Sequence, residues 1–227
     1  MSKNKSLSSQ NRIYGQDYVN KYREKKGEGR IERLLKLLKL KNSDVILDVG
    51  CGSGFLVDYI KDDVKKYVGI DTSPAFIKEA KKTHQNIENI KFFNENIENH
   101  TKRNLKYDKV FLFDITEHLT DKELVSILIC CSKILRNNGV VYIHTPNKNY
   151  FLEQMKSRGL IKQTIGHIKV RNGKEYKSLI KDVNRFSSVN FVYLNHYKNI
   201  LKPFHILSFL PFIGKYFIAR IFIEIKK

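Results

Sequence analysis

A chain of 227 residues with 41% hydrophobic side chains can bury one α/β core and is too short for two full domains. Apolar runs such as Ile206 to Ile213 fall far below the ~20 residues of a membrane-crossing helix, and Met1 to Gln10 lacks the apolar stretch of a secretory signal. Three cysteines, two of them adjacent at Cys130 and Cys131, suit neither a disulfide framework nor an ordinary zinc site, so the expected setting is a reducing cytoplasm. The formal charge of +19 invites an anionic partner, although lysines spread evenly along an Asn- and Ile-rich chain also fit a plain compositional bias.

In chain order, Tyr14, Tyr18 and Tyr22 recur at helical spacing, and residues 1–29 read as an N-terminal cap segment. From Arg30 onward, Ile31, Leu34, Leu35 and Leu38 mark the apolar face of a helix that docks on a sheet. Asp44 to Val49 predicts a buried strand running into a glycine-rich turn, and Phe55 to Ile60 opens the next helix. Lys66 to Ile70 predicts the second strand, ending at Asp71, and Ser73-Pro74 starts another helix with proline at its first position. Ile90 to Phe93 and Tyr107 to Phe113 predict strands three and four. Thr120 and Glu123 have capping-box spacing for a helix through Leu135. Asn137-Asn138-Gly139 supplies left-handed residues that end it, and Val140 to His144 predicts strand five.

Strands alternating with helices imply right-handed βαβ units and a mostly parallel sheet with helices on both faces. After Pro146 the rhythm breaks. Asn147 to Ser188 reads as a basic lid, whereas Phe191 to Leu194 and Phe217 to Ile225 regain strand character, the last as an antiparallel edge strand. The expected organisation is thus a cap over residues 1–29, a ligand-binding core over 30–147, and a substrate lid with closing strands over 148–227.

Chemistry begins at Asp48-Val49-Gly50-Cys51-Gly52-Ser53-Gly54. Glycines at alternate positions let the backbone turn sharply and approach a ligand closely. The spacing departs from the dinucleotide fingerprint G-x-G-x-x-G. Asp71, at the end of the second strand in Gly69-Ile70-Asp71, is placed to accept hydrogen bonds from both hydroxyls of a ribose; its structural alternative is a helix N-cap.

These residues resemble the first two motifs of the class I S-adenosylmethionine-dependent methyltransferases, a Rossmann-like seven-stranded fold with an antiparallel last strand. The first motif, Val45 to Gly54, matches almost letter for letter. The resemblance implies that the glycines line the methionine portion of the cofactor and that Asp71 holds its ribose. Phe92-Phe93-Asn94-Glu95-Asn96-Ile97-Glu98 resembles the stretch whose polar residue accepts from the adenine amino group, which assigns that role to Asn96, where the family more often has Asp. Tyr107 through Leu119 resembles the subgroup of quinone-biosynthesis and sugar methyltransferases. The implied cofactor site comprises Asp48, Gly50, Cys51, Gly52, Asp71, Thr72, Asn96, Ile97 and Phe113.

Methyl transfer from a sulfonium depends mainly on proximity and alignment, with a general base adding roughly 10²–10⁴-fold for a hydroxyl acceptor. Ligands of open parallel sheets lie beyond the carboxyl ends of the strands. That singles out Phe113, Asp114, Glu117 and His118 after strand four and His144 to Asn147 after strand five. His118 is the first candidate base, His144 the second and His167 the third. Scattered histidines without helical pairing predict metal independence. The lid's Lys156, Arg158, Lys162, Lys169, Arg171, Lys174, Lys177, Lys181 and Arg185 form an expected rim for an anionic acceptor, and the apolar run after Pro203 either closes the core or contacts a membrane surface. The favoured reading is methyl transfer to a small molecule, at a hydroxyl of a sugar, lipid or quinone-like substrate. An RNA-directed methyltransferase, or a cofactor- or nucleic-acid-binding module without catalysis, is the alternative. The Asn/Asp-Pro-Pro-aromatic sequence that grips a flipped base is missing after strand four, which counts against nucleic acid.

Overall fold

The structure, a computed structural model, describes residues 28–196, 201 and 203–227. The tyrosine stripe at Tyr14, Tyr18 and Tyr22 and nearly all of the expected cap lie outside the described residues. The chain divides into two compact units, Met1–Arg103 and Asn104–Lys227.

In the first unit, α1 (Glu28–Leu35) is followed by β1 (Val45–Val49), α2 (Val57–Ile60), β2 (Lys66–Asp71), α3 (Pro74–Thr83), β3 (Ile90–Asn94) and α4 (Ile97–Thr101). The apolar face read from the sequence is the buried one, since Ile31, Leu34 and Leu38 are buried. Strand β1 pairs in parallel with β2, and β2 with β3. The interiors of β1 and β2 are buried on both faces, as expected of strands covered by crossover helices, whereas β3, at the edge of the sheet, leaves Lys91 exposed. The first crossover helix is shorter than predicted, because the turn after Gly50 continues to Leu56 before regular helix begins at Val57. Pro74 sits in the first turn of α3, and the Ser73 side chain caps it by accepting from the Phe76 N–H.

The second unit runs β4 (Tyr107–Phe113), a 3₁₀ turn (Thr116–His118), α5 (Asp121–Ile134), β5 (Leu135–Pro146), α6 (Phe151–Ser157), α7 (Gly173–Val183), β6 (Ser188–Leu194), further 3₁₀ turns (Pro203–Phe209 and Gly214–Phe217) and β7 (Arg220–Lys226). The Thr120–Glu123 capping box forms as predicted. Strand β5 pairs in parallel with β4 and begins earlier than expected, with a register shift after Tyr107 and Asn138 in the left-handed region at φ 64°. The expected lid contains α7, opened by a second capping box between Asn172 and Glu175, and α7 packs on α5.

The sheet has seven strands in the order β3-β2-β1-β4-β5-β7-β6, mostly parallel with antiparallel closing strands, as the sequence predicts. One placement differs. Strand β7 is an interior strand, antiparallel to both β5 and β6, and β6 is the edge. The apparent alternation of β7 misleads because its faces are both covered: Glu224 is buried along with Ile221, Ile223 and Ile225.

Candidate functional site

At the carboxyl end of β1 the chain turns through Gly50, Gly52 and Gly54 at φ 74°, 55° and 78°. L side chains avoid this left-handed region, so each glycine is required by backbone shape. The turn is stitched to the end of β2, because Gly50 N–H and Cys51 N–H both donate to the Ile70 carbonyl, at 2.8 and 3.1 Å. It is braced a second time by Asp71, whose Oδ2 accepts from the Gly52 N–H at 3.0 Å and whose Oδ1 accepts from the Ser73 N–H at 2.8 Å. The helix N-cap is Ser73, not Asp71.

Burial raises the Asp71 pKa, and the N–H donors of Ser73, Gly52 and Thr72 pull it back. Asp48 is more strongly perturbed: burial pushes its carboxyl up to about 7, opposed by the Tyr67 hydroxyl, which donates to it at 2.6 Å, and reinforced by the charge of Asp71. Burial also pushes the Cys51 thiol well up, away from the thiolate form that a nucleophile needs. Thr72 is exposed beside Asp71. At the end of β3, Asn96 is exposed and caps α4, its Oδ1 accepting from the Asn99 N–H at 2.9 Å. That leaves one amide lone pair for the role implied for it. Ile97 packs inward, 2% exposed.

In the second unit, Phe113 ends β4 half-buried, stacked on Phe111 with ring centroids 5.0 Å apart and facing His144 edge-on at 6.3 Å. The next residue, Asp114, lies at φ 53°, a strained backbone that Asp tolerates better than most residues. It is held there by its N–H, which donates to the His144 carbonyl at 2.8 Å. The Asp114 carboxylate pairs with Arg220 and lies 3.3 Å from His144 Nδ1. His144 itself is buried, at 2% exposure.

The 3₁₀ turn carries Glu117 and His118. His118 Nδ1 lies 2.7 Å from the Gly166 carbonyl. A carbonyl only accepts, so Nδ1 carries a proton, and in the neutral ring the lone pair belongs to Nε2. The His118 ring meets that of His167 edge-on at 5.1 Å, and His167 Nε2 is 3.9 Å from Glu117 Oε1. Burial pushes the Glu117 carboxyl up, with Asp114 adding to the effect and Arg220 opposing it. Burial and the neighbouring His118 hold His167 down to about 4.

A polar scaffold fixes this turn. Arg171 is fully buried and donates to the carbonyls of Thr116 and Leu119, both at 2.7 Å, and to Asp121 at 2.9 Å. Tyr176 links the Thr116 and Thr145 hydroxyls at 2.7 and 3.3 Å, and Thr145 donates onward to Glu117 Oε2 at 3.3 Å. Ile168 and Lys169 N–H groups converge on the Glu117 carbonyl at 2.9 and 3.0 Å. Arg171 is therefore a structural pin, which corrects its expected place on a basic rim. Arg158, Lys162, Lys169, Lys174, Lys177, Lys181 and Arg185 are exposed.

Thus Asp48, Gly50, Cys51, Gly52, Asp71 and Thr72 gather at the ends of β1 and β2, Asn96 and Ile97 follow β3, and Phe113 sits beside His144 in the second unit. His144 lies 3.3 Å from the Asp114 carboxylate, and His118 shares the neighbourhood of the Glu117 carboxylate. The sequence singled out Asp114 and Glu117 without roles, included Thr145 only within the range His144 to Asn147, and gave Arg220 and Tyr176 no place in the site. The available signal was the Asp114-x-x-Glu117-His118 spacing directly after β4.

Among known proteins, a family model described as a methyltransferase domain matches residues 19–184. The ubiquinone biosynthesis O-methyltransferase of Vibrio atlanticus is 29% identical over 108 residues, covering 46% of this chain and 44% of that protein. That of Pasteurella multocida is 30% identical over 115 residues, with 45% and 46% covered. The match thus spans less than half the length of these relatives. A SAM dependent methyltransferase from Archaeoglobus fulgidus shares the fold at TM-score 0.70 with 16% identity, over 94% of this chain and all of that one. The plantazolicin methyltransferase BamL, solved with a triazolic desmethylPZN analog and SAH, shares it at TM-score 0.64 with 20% identity, over 93% and 90%. With most of its length, residues 19–184, matched by the family model, the chain belongs to the methyltransferase domain family.

Proposed function

We propose that this chain transfers the methyl group of S-adenosylmethionine to a hydroxyl of a small, anionic sugar, lipid or quinone-like acceptor. The observation that carries the reading is the turn of left-handed glycines braced by Asp71.

The residues fit the cofactor. Asp71 accepts backbone N–H bonds from Gly52, Ser73 and Thr72, and with about four lone-pair sites a carboxylate keeps room for a ribose hydroxyl. Burial and the charge of Asp71 push the Asp48 carboxyl up, and a ligand carrying an ammonium and a sulfonium supplies positive charge that favours the ionised form of a buried carboxylate. When bound, S-adenosylmethionine provides an electrophilic methyl carbon on sulfur. His118 offers the Nε2 lone pair that meets the acceptor hydroxyl, its ring fixed through Gly166. His144 is the second catalytic candidate, and its burial against Asp114 suits it to hold that carboxylate and Arg220 in place.

The relatives named O-methyltransferases support a hydroxyl as acceptor. The exposed lysines and arginines of residues 158–185 support an anionic one. In the segment after Pro203, Ile206, Phe209 and Phe212 are 71%, 82% and 94% exposed, with Lys215 nearby over the Tyr216 ring. Apolar side chains next to a cation suit peripheral contact with an anionic lipid surface. No helix among the described residues is long and apolar enough to cross a membrane. The free cysteines Cys51, Cys130 and Cys131 fit a cytoplasmic setting.

Calorimetry with S-adenosylmethionine and its demethylated product tests the premise; no binding of either would overturn it. Incubation with methyl-labelled cofactor and cell fractions then tests the acceptor. Label is expected in lipid or small metabolites, and label confined to RNA would establish the nucleic-acid reading instead.

A further inference from the structure

The sequence scatters its histidines, yet the fold gathers one carboxylate and two imidazoles at the turn after β4. Glu117, His118 and His167 each present a ligand atom, all within 4.8 Å of one another. The geometry points to a divalent first-row transition-metal site formed by Glu117, His118 and His167, at which the metal binds the acceptor's hydroxyl oxygen. This rests on the methyl-transfer reading and gives the acceptor site a Lewis acid.

The arrangement has the marks of a ligand set rather than a chance cluster. Metal-binding histidines ordinarily donate their second ring N–H to a carbonyl or carboxylate, which fixes the tautomer and aims the lone pair. His118 does this through the Gly166 carbonyl at 2.7 Å. The carboxylate is oriented in turn, since Thr145 donates to Glu117 Oε2, leaving Oε1 as the oxygen nearest His167 Nε2, at 3.9 Å.

Glu117 is 2% exposed, and the nearby Arg220 is engaged by the Asp114 carboxylate, so a bound metal ion is the counter-charge that lets the buried Glu117 ligate as a carboxylate. Two nitrogens and one carboxylate favour Zn²⁺, Mn²⁺, Fe²⁺ or Co²⁺ over Mg²⁺ or Ca²⁺, which prefer all-oxygen sets. Three protein ligands leave positions open for an acceptor oxygen. Coordination lowers the pKa of a bound hydroxyl, so the proton departs to solvent, the oxygen attacks the methyl carbon, and the carbon–sulfur bond breaks with its electron pair retained by sulfur. His118 then serves through its ligating lone pair rather than as a free base.

The test uses the full chain stripped of metal with a chelator. Titration with Co²⁺, followed by its visible absorption, and calorimetry with Mn²⁺ and Zn²⁺ are expected to show one equivalent bound. Glu117→Gln, His118→Ala and His167→Ala should each weaken binding more than tenfold, whereas His84→Ala, in the first unit, should leave it unchanged. S-adenosylmethionine binding and thermal melting of each variant show whether it is folded, and Thr145→Val, which keeps all three ligands, should weaken metal binding by a smaller factor. Absence of stoichiometric binding by a folded chain that binds S-adenosylmethionine would overturn the metal site and leave the methyl-transfer reading standing. So would metal binding insensitive to all three ligand substitutions. Metal binding by a chain that ignores S-adenosylmethionine would instead sink the methyl-transfer reading.

Discussion

Asp71 Oδ2 accepts the Gly52 N–H at 3.0 Å, so the carboxylate read as a ribose ligand also holds the glycine turn in its ligand-facing form. Asp71→Ala should remove both contributions. Hydrogen bonds to a charged group are worth about 1.5–3 kcal/mol each, so calorimetry should show S-adenosylmethionine affinity falling by about 100-fold or more. Asp71→Asn, which keeps an acceptor for the turn, should retain more of the affinity than Ala. Unchanged binding in Asp71→Ala would show that the ribose lies elsewhere.

Gly52 and Gly54 share a left-handed backbone and differ in what surrounds them. A Cβ on Gly52 would come no closer than 4.0 Å to Phe76, whereas one on Gly54 would lie 2.8 Å from the Phe92 ring. Gly52→Ala should cost only the backbone strain, about 1–2 kcal/mol, yet weaken cofactor binding more than tenfold. Gly54→Ala adds the clash with Phe92 and should be the less stable of the two in urea unfolding.

The buried pair of Asp48 and Tyr67 sets a pH dependence. The folded carboxyl titrates at about 7, above its ordinary value of 3.8. Between those values the unfolded chain binds fewer protons than the folded one, so stability falls as pH rises and levels off above about 7. Asp48→Asn removes this loss. Its stability advantage over the unaltered chain should grow from pH 4 to 7, to as much as about 4 kcal/mol, when measured by denaturant titration without cofactor. A pH-independent difference would mean that the carboxyl is not perturbed.

Arg171 is buried and donates to two carbonyls of the turn that carries Glu117 and His118. Arg171→Met would leave those acceptors unpaired, at a cost of about 3 kcal/mol or more. Urea unfolding should report that loss. Any protein that remains folded should bind S-adenosylmethionine with little change while transferring label slowly, because Arg171 braces the second unit alone.

Phe209 and Phe212 are 82% and 94% exposed. Replacing both by Ser should change stability by roughly 0.5 kcal/mol or less per site and reduce co-sedimentation with anionic lipid vesicles. Equal sedimentation of the two proteins would dismiss lipid contact by this segment.

The sequence by itself determined the alternating strands and helices, the glycine turn, Asp71 and the family they announce. These signals are local: a burial pattern of period two or 3.6, a left-handed backbone that only glycine adopts cheaply, an acid at the end of a predicted strand. Tertiary structure decided the rest. Strand β7 proved interior because its outward-looking Arg220 and Glu224 found partners or cover that periodicity cannot reveal. Arg171 looked like one more surface cation until its four donor contacts placed it beneath the turn. His167 joined Glu117 and His118 across a long stretch of chain, through the backbone N–H groups of Ile168 and Lys169 on the Glu117 carbonyl and the His118 ring on the Gly166 carbonyl. Ligand geometry is a matter of a few ångströms in space, whereas sequence spacing records only separation along the chain, and only folding converts one into the other.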